Sequence, residues 1–121
     1  MKKVGLITTN KVFAQSLAAT AENHPDWGFE LVSLLDPKQA VLDAQVMEID
    51  TAVVDAGCSN ENDTERFCQT LRKTAGCRLL LFVPKTGRAL AIRAMKSRAA
   101  DDFVFYDTSL EYLLAKLAAI E

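Results

Sequence analysis

Apolar and polar positions fall into blocks that repeat five times along the chain. Val4 to Ile7 is a short unbroken apolar run, the kind given by a strand buried on both faces, and polar Thr8-Thr9-Asn10 ends it. From about Lys11 to Asn23 the period changes, with Phe13, Leu17 and Ala21 at helical spacing, and His24-Pro25-Asp26 stops the helix. Phe29 to Leu35 is the second strand. Asp36-Pro37 has the form of an N-cap followed by proline, opening a second helix to about Met47 that buries Ala40, Val41 and Ala44. Thr51 to Val54 is the third strand, ended by Asp55, and Ala56-Gly57-Cys58-Ser59-Asn60 is a polar, turn-forming loop.

The third helix is expected over Glu61 to Thr74. Glu61, Asp63 and Glu65 lie in its first turns and Arg72 and Lys73 in its last, as the helix dipole favours, and Gly76 is a C-terminal stop. Arg78 to Val83 is the fourth and most apolar strand, Pro84-Lys85-Thr86-Gly87 a turn, and Arg88 to Arg98 a fourth helix carrying Leu90, Ile92 and Met95. Phe103 to Phe105 is the fifth strand. Thr108 or Ser109 caps a last helix that buries Leu110, Leu113, Leu114, Leu117 and Ile120. Strands alternating with helices imply a parallel sheet with right-handed crossovers. Five strands in this length suit an α/β, three-layer, flavodoxin-like sandwich with sheet order 2-1-3-4-5 and five helices.

Composition narrows the functional classes. The 121 residues fit one domain, half of them hydrophobic and a quarter charged. A net charge of −2 gives no broad attraction for a phosphate backbone, so nucleic acid is not an expected partner. Cys58, Cys68 and Cys77 are odd in number and loosely spaced, which argues against a disulfide framework or zinc site and for inert thiols in a reducing cytoplasm. No signal peptide is visible, and no apolar run is long enough to span a bilayer. The last helix runs to Glu121 without a stop signal, so residues 1–121 are expected to be the N-terminal part of a longer protein.

In such a sheet, ligands bind at the carboxyl ends of the strands. The residues there are Thr8, Thr9 and Asn10, then Asp36, then Asp55 and Gly57, then Val83, Pro84 and Lys85, and last Tyr106 and Asp107. With Asp55 ending the third strand and Ala99-Ala100-Asp101-Asp102-Phe103-Val104 leading into the fifth, the chain resembles the CheY-like receiver domains of two-component response regulators over its whole length. The resemblance implies a phosphoacceptor at Asp55 but not the groups that would serve it. Thr8 and Thr9 stand where an acidic pair would hold Mg²⁺, Val83 where a hydroxyl residue belongs, and Tyr106-Asp107 where lysine and proline belong. Neutral hydroxyls are poor ligands for a hard dication. Phosphoryl transfer depends almost wholly on positioning and charge stabilisation. The expectation is a pseudo-receiver: no catalysis, no metal, no cofactor, and an Asp55 that caps the next loop or bonds Thr8 or Thr9. The alternative is a divergent receiver that still phosphorylates Asp55, with Asp36 or Asp107 supplying the missing carboxylate.

The run from Asp101 to Ser109, with Tyr112-Leu113-Leu114-Ala115-Lys116-Leu117, is similar to the receiver-like domains that precede MinD/ParA-like ATPases of the Tad pilus-assembly type. That likeness implies localisation or dimerisation ahead of an ATPase, and no phosphate-cradling loop lies in this chain. The basic stretch Lys85, Arg88, Arg93, Lys96 and Arg98 is either a solvated face or an interface for an acidic partner, for instance Glu111 or Asp107 of a second copy. Receivers meet partners through the fourth helix, fifth strand and fifth helix, which makes Arg88, Arg93, Lys96, Tyr106 and Glu111 the interface candidates. Tyr106 is an exposed binding aromatic or a lid over the acidic site, with Phe105 on the other face of the sheet. The sole histidine, His24, lies at the opposite end of the sheet from that site, which counts against a Ser-His or Cys-His hydrolase. A small-molecule sensor is a third, weaker reading.

Overall fold

The computed structural model describes residues 2–58 and 60–120, apart from the side chains of Cys58, Glu61 and Asn62. Ser59 of the expected loop, and Glu121 at the end of the expected last helix, lie outside the described residues. The elements are β1 Lys2–Ile7, α1 Lys11–Glu22, β2 Phe29–Leu34, α2 Ala40–Val46, β3 Thr51–Asp55, α3 Glu61–Ala75, β4 Arg78–Val83, α4 Arg88–Lys96, β5 Asp102–Phe105 and α5 Leu110–Ala119. Every strand pair is parallel and the sheet order is β2-β1-β3-β4-β5. This is the flavodoxin-like architecture that the alternation of elements predicts.

Side chains on successive strand residues go to opposite faces, and each face has its own core. One contains Ile7, Val54, Leu79, Leu81 and Val83, packed with Ala40, Ala44, Leu71, Leu90 and Ala91 of α2, α3 and α4. The other contains Leu6, Val53, Leu80, Phe82 and Val104, packed with Ala14 and Leu17 of α1 and Leu113, Leu114 and Leu117 of α5. Each fully buried leucine contributes about 1.5–3 kcal/mol by leaving water.

Polar punctuation sets the helix ends. Asn10 Oδ1 accepts the Phe13 N–H at 3.0 Å, Asn60 Oδ1 the Asp63 N–H at 2.9 Å, and Ser109 Oγ the Tyr112 N–H at 3.2 Å. Ser109, not Thr108, is therefore the cap of α5. Gly76 ends α3 in the left-handed region at φ 68°, as a stop signal there requires.

Several boundaries differ from the sequence reading, some of them for a local reason. β1 begins at Lys2, because a lysine can join the ladder while its amine turns to a helix end. Lys2 Nζ donates to the Leu117 carbonyl at 3.4 Å and Lys3 Nζ to that of Met47 at 3.0 Å. α2 starts at Ala40, because the Asp36 carboxylate accepts the N–H two residues on, from Lys38, and holds a turn instead of capping a helix. β2 ends at Leu34, and the exposed Leu35 follows it. α4 stops at Lys96, with Arg98 left-handed at φ 61° and the Ala99 N–H closing on Ala94 O at 2.8 Å. In α4 the buried residues are Leu90, Ala91 and Ala94, and of the apolar residues noted in the sequence Ile92 and Met95 face outward. Val41, Leu110 and Ile120 are only partly buried.

Candidate functional site

The carboxyl ends of β1, β3 and β5 converge on one carboxylate. Asp55 is the last residue of β3 and is 9% exposed. Its Oδ2 accepts the Thr8 hydroxyl at 2.7 Å, and its Oδ1 accepts the Gly57 N–H at 2.9 Å and the Tyr106 phenol. The expectation that Asp55 bonds Thr8 and caps its own loop describes this geometry. Thr8 is in turn fixed by the Asn10 N–H, which donates to its Oγ1 at 3.0 Å. Strand alternation explains the convergence: Thr8, Asp55 and Tyr106 follow Ile7, Val54 and Phe105, whose side chains enter the α2/α3/α4 core, so they lean to the α1/α5 side.

Phe82 belongs to the same face and pairs in register with Asp55. Its ring lies 4.5 Å from that of Tyr106 and stacks at 4.7 Å, 8° from parallel, on Phe13 of α1. Thr9, Asn10, Phe13, Asp55, Gly57, Phe82 and Tyr106 line a cavity of about 430 Å³. Gly57 has a steric reason to be glycine, since a Cβ there would come within 2.7 Å of the Tyr106 oxygen and 3.2 Å of Asp55 Oδ1. Tyr106 sits over the acidic site with its hydroxyl on Asp55 and leaves 40% of its surface exposed.

The structure separates Val83 from this group. It ends β4 as expected, but its side chain is buried in the opposite core and does not line the cavity. Phe82 is the β4 residue at the site, and sequence reading missed it. The period-2 alternation was the available signal, because Phe82 is one residue out of phase with Val83. Asp36 and Asp107 do not reach the cavity either. Asp36 holds the turn before α2, and Asp107 pairs with Lys85 at 2.9 Å. The Asp107 carboxyl lies below its usual range because the Lys85 ammonium donates to it.

The donor set does not fit a magnesium ion. Among the described residues Asp55 is the one carboxylate lining the cavity, and no cluster of three His, Cys, Asp or Glu side chains could hold a metal. None of the ion pairs among the described residues involves Asp55. Its described donors are all neutral.

The interface candidates lie on α4, β5 and α5. Ile92, Met95, Tyr106 and Tyr112 are exposed there, as are Arg88, Lys96 and Glu111. The basic stretch is partly neutralised within the chain, since Lys85 meets Asp107 and Arg93 meets Glu65 of α3 at 2.8 Å. Arg88, Lys96 and Arg98 make no ion pair with a described residue. The remaining singled-out groups lie elsewhere. Cys68 and Cys77 are buried free thiols, and burial pushes Cys68 up to about 12. His24 stacks on Trp27 at 4.2 Å in the loop whose Gly28 carbonyl accepts the Lys2 N–H, so it lies at the amino end of the sheet.

Solved structures share this fold. The chemotaxis protein CheY4 of Vibrio cholerae superposes with a TM-score of 0.81 at 19% identity, covering 100% of this chain and 99% of that one. A two-component response regulator from Clostridium difficile gives 0.80 at 18% identity, covering 98% of this chain and 94% of that one. A structure described as that of a pilus assembly protein, cpaE, from Burkholderia thailandensis gives 0.74 at 15% identity, covering 98% of each chain. No family model and no curated protein matches the sequence. The chain has the CheY-like fold of a response-regulator receiver domain. Among the described residues no helix is long and apolar enough to cross a membrane.

Proposed function

We propose that this chain is a pseudo-receiver: a non-enzymatic signalling or localisation domain that binds a protein, or a second copy of itself, and does not phosphorylate Asp55. The observation that carries the reading is the clasp on Asp55. Thr8, Tyr106 and the Gly57 N–H already take up the carboxylate, and among the described residues no cation or second carboxylate lines its cavity. A phosphoryl group on Asp55 would have to expel the Tyr106 hydroxyl and then lie beside an aromatic ring and neutral hydroxyls, which supply none of the charge that stabilises the transfer.

The α4–β5–α5 face is the proposed interface. Its exposed apolar residues Ile92, Met95 and Tyr112, bordered by Arg88, Lys96 and Glu111, suit a protein partner better than a nucleic acid. The fold likeness to the pilus assembly protein is consistent with the resemblance to Tad-type receiver-like domains.

Incubation with acetyl phosphate and magnesium, followed by intact-mass measurement, tests the first half of the reading. The expected result is an unchanged mass. A magnesium-dependent adduct that is absent from Asp55→Asn would establish the divergent receiver instead. For the second half, sedimentation of the wild type and of Ile92→Glu should show self-association or partner binding weakened by the charge on α4.

A further inference from the structure

Asp55 is a nearly buried carboxylate with no ion-pair partner among the described residues, facing a cavity walled by aromatic rings. A buried charge met only by neutral donors is electrostatically incomplete, and an opposite charge brought close in a low-dielectric site is attracted strongly. Oδ2 accepts a single hydrogen bond, from Thr8, whereas Oδ1 accepts two. A carboxylate oxygen has about two acceptor directions, so Oδ2 retains one.

The walls select the kind of cation. A hard metal ion wants several oxygens, and the described lining of this cavity offers one carboxylate among Phe13, Phe82 and Tyr106. Aromatic faces favour a soft organic cation, and a planar guanidinium can stack on a ring while its in-plane N–H groups reach a carboxylate. The volume of about 430 Å³ is ample for such a group, and Thr9 and Asn10 add polar atoms at the rim.

We infer that the Asp55 cavity is a binding site for a guanidinium group, with Oδ2 of Asp55 accepting from the guanidinium and the Tyr106 and Phe82 rings forming its apolar wall. The group comes from a free guanidino compound or from an arginine side chain of a bound protein. The inference rests on the reading above in one respect, since the carboxylate must be free of a phosphoryl group.

The test is an amide-shift titration by NMR of the unphosphorylated protein with ethylguanidinium, at constant ionic strength against sodium. Saturable shifts of Asn10, Gly57 and Tyr106 are expected. Asp55→Asn should weaken the binding at least about tenfold, the usual worth of a hydrogen bond to a charged group. Tyr106→Leu, which keeps the carboxylate and removes the wall, should weaken it several-fold and guards against misfolding of the first variant. A blocked Gly-Arg-Gly peptide that binds more tightly than ethylguanidinium points to a protein arginine, and equal affinity points to a small compound. Linear shifts that persist unchanged in Asp55→Asn would overturn the inference, as would magnesium displacing the probe from Asp55. The mass measurement above uses neither probe, so the two ideas fail separately.

Discussion

Two aspartates at opposite ends of the sheet are held in different ways. Asp101, entering β5, accepts the Arg72 guanidinium at 2.7 Å and the Leu79 N–H at 2.7 Å, while its own N–H donates to the Leu79 carbonyl at 2.9 Å. Its charge is balanced, and it ties α3 to the start of β4 and β5. Asp55, ending β3, also has three polar contacts, but no cation among the described residues. A balanced acid that bridges three elements adds stability. An acid met by neutral donors beside a cavity adds less, because its desolvation is offset by hydrogen bonds without an opposite charge.

The largest expected effect is at the balanced end. Asp101→Ala should lower unfolding free energy in urea by about 2–3 kcal/mol, because it strands a partly buried guanidinium and an inner backbone N–H. A loss below about 0.5 kcal/mol would erase the contrast between the two acids.

At the other end the effects should be smaller. Asp55→Asn should shift stability by less than about 1 kcal/mol in either direction, since an amide can still accept from Gly57 and Tyr106 and donate to Thr8. Tyr106→Phe, which keeps the ring on Phe82 and removes one donor, should cost about 0.5–1.5 kcal/mol by the same measurement.

The smallest effect concerns a third acid. Glu65 lies below its ordinary value of 4.5 because the Ser97 hydroxyl bonds it, burial opposing this, with the Arg93 guanidinium adding to the pull downward. A lowered value in the folded state means that its contribution is complete above pH 4.5 and is lost as pH falls through the folded value. Acid titration of stability should therefore be slightly shallower in Glu65→Gln than in the wild type. Identical curves would remove Glu65 from the balanced class.

Much of this was legible from the residue pattern. The alternation of short apolar runs with helical periods dictated five parallel strands, and Asn10, Asn60, Ser109 and Gly76 mark helix ends by local chemistry. Asp55 and Thr8 could be placed together because residues that follow neighbouring parallel strands must meet. The outward turn of Ile92 and Met95 was not legible, since the apolar residues of α4 allow more than one buried face and Ala91 and Ala94 won it by fitting close to the sheet. The place of Phe82 in the site was legible only in part, because the period of two sets it opposite Val83 but strand register is what puts it beside Asp55.

The sequence alone determined which chemical groups reach the carboxyl edge of the sheet, because element order and the period of two fix that to within a residue. Only the tertiary structure decided how they are joined. The Tyr106 phenol comes from β5, two strands away from Asp55 across β4, and no local rule reports whether its ring turns in over Phe82 or out to water. That choice follows from packing against Phe82 and Phe13 and from the space Gly57 leaves, and both are properties of the assembled sheet.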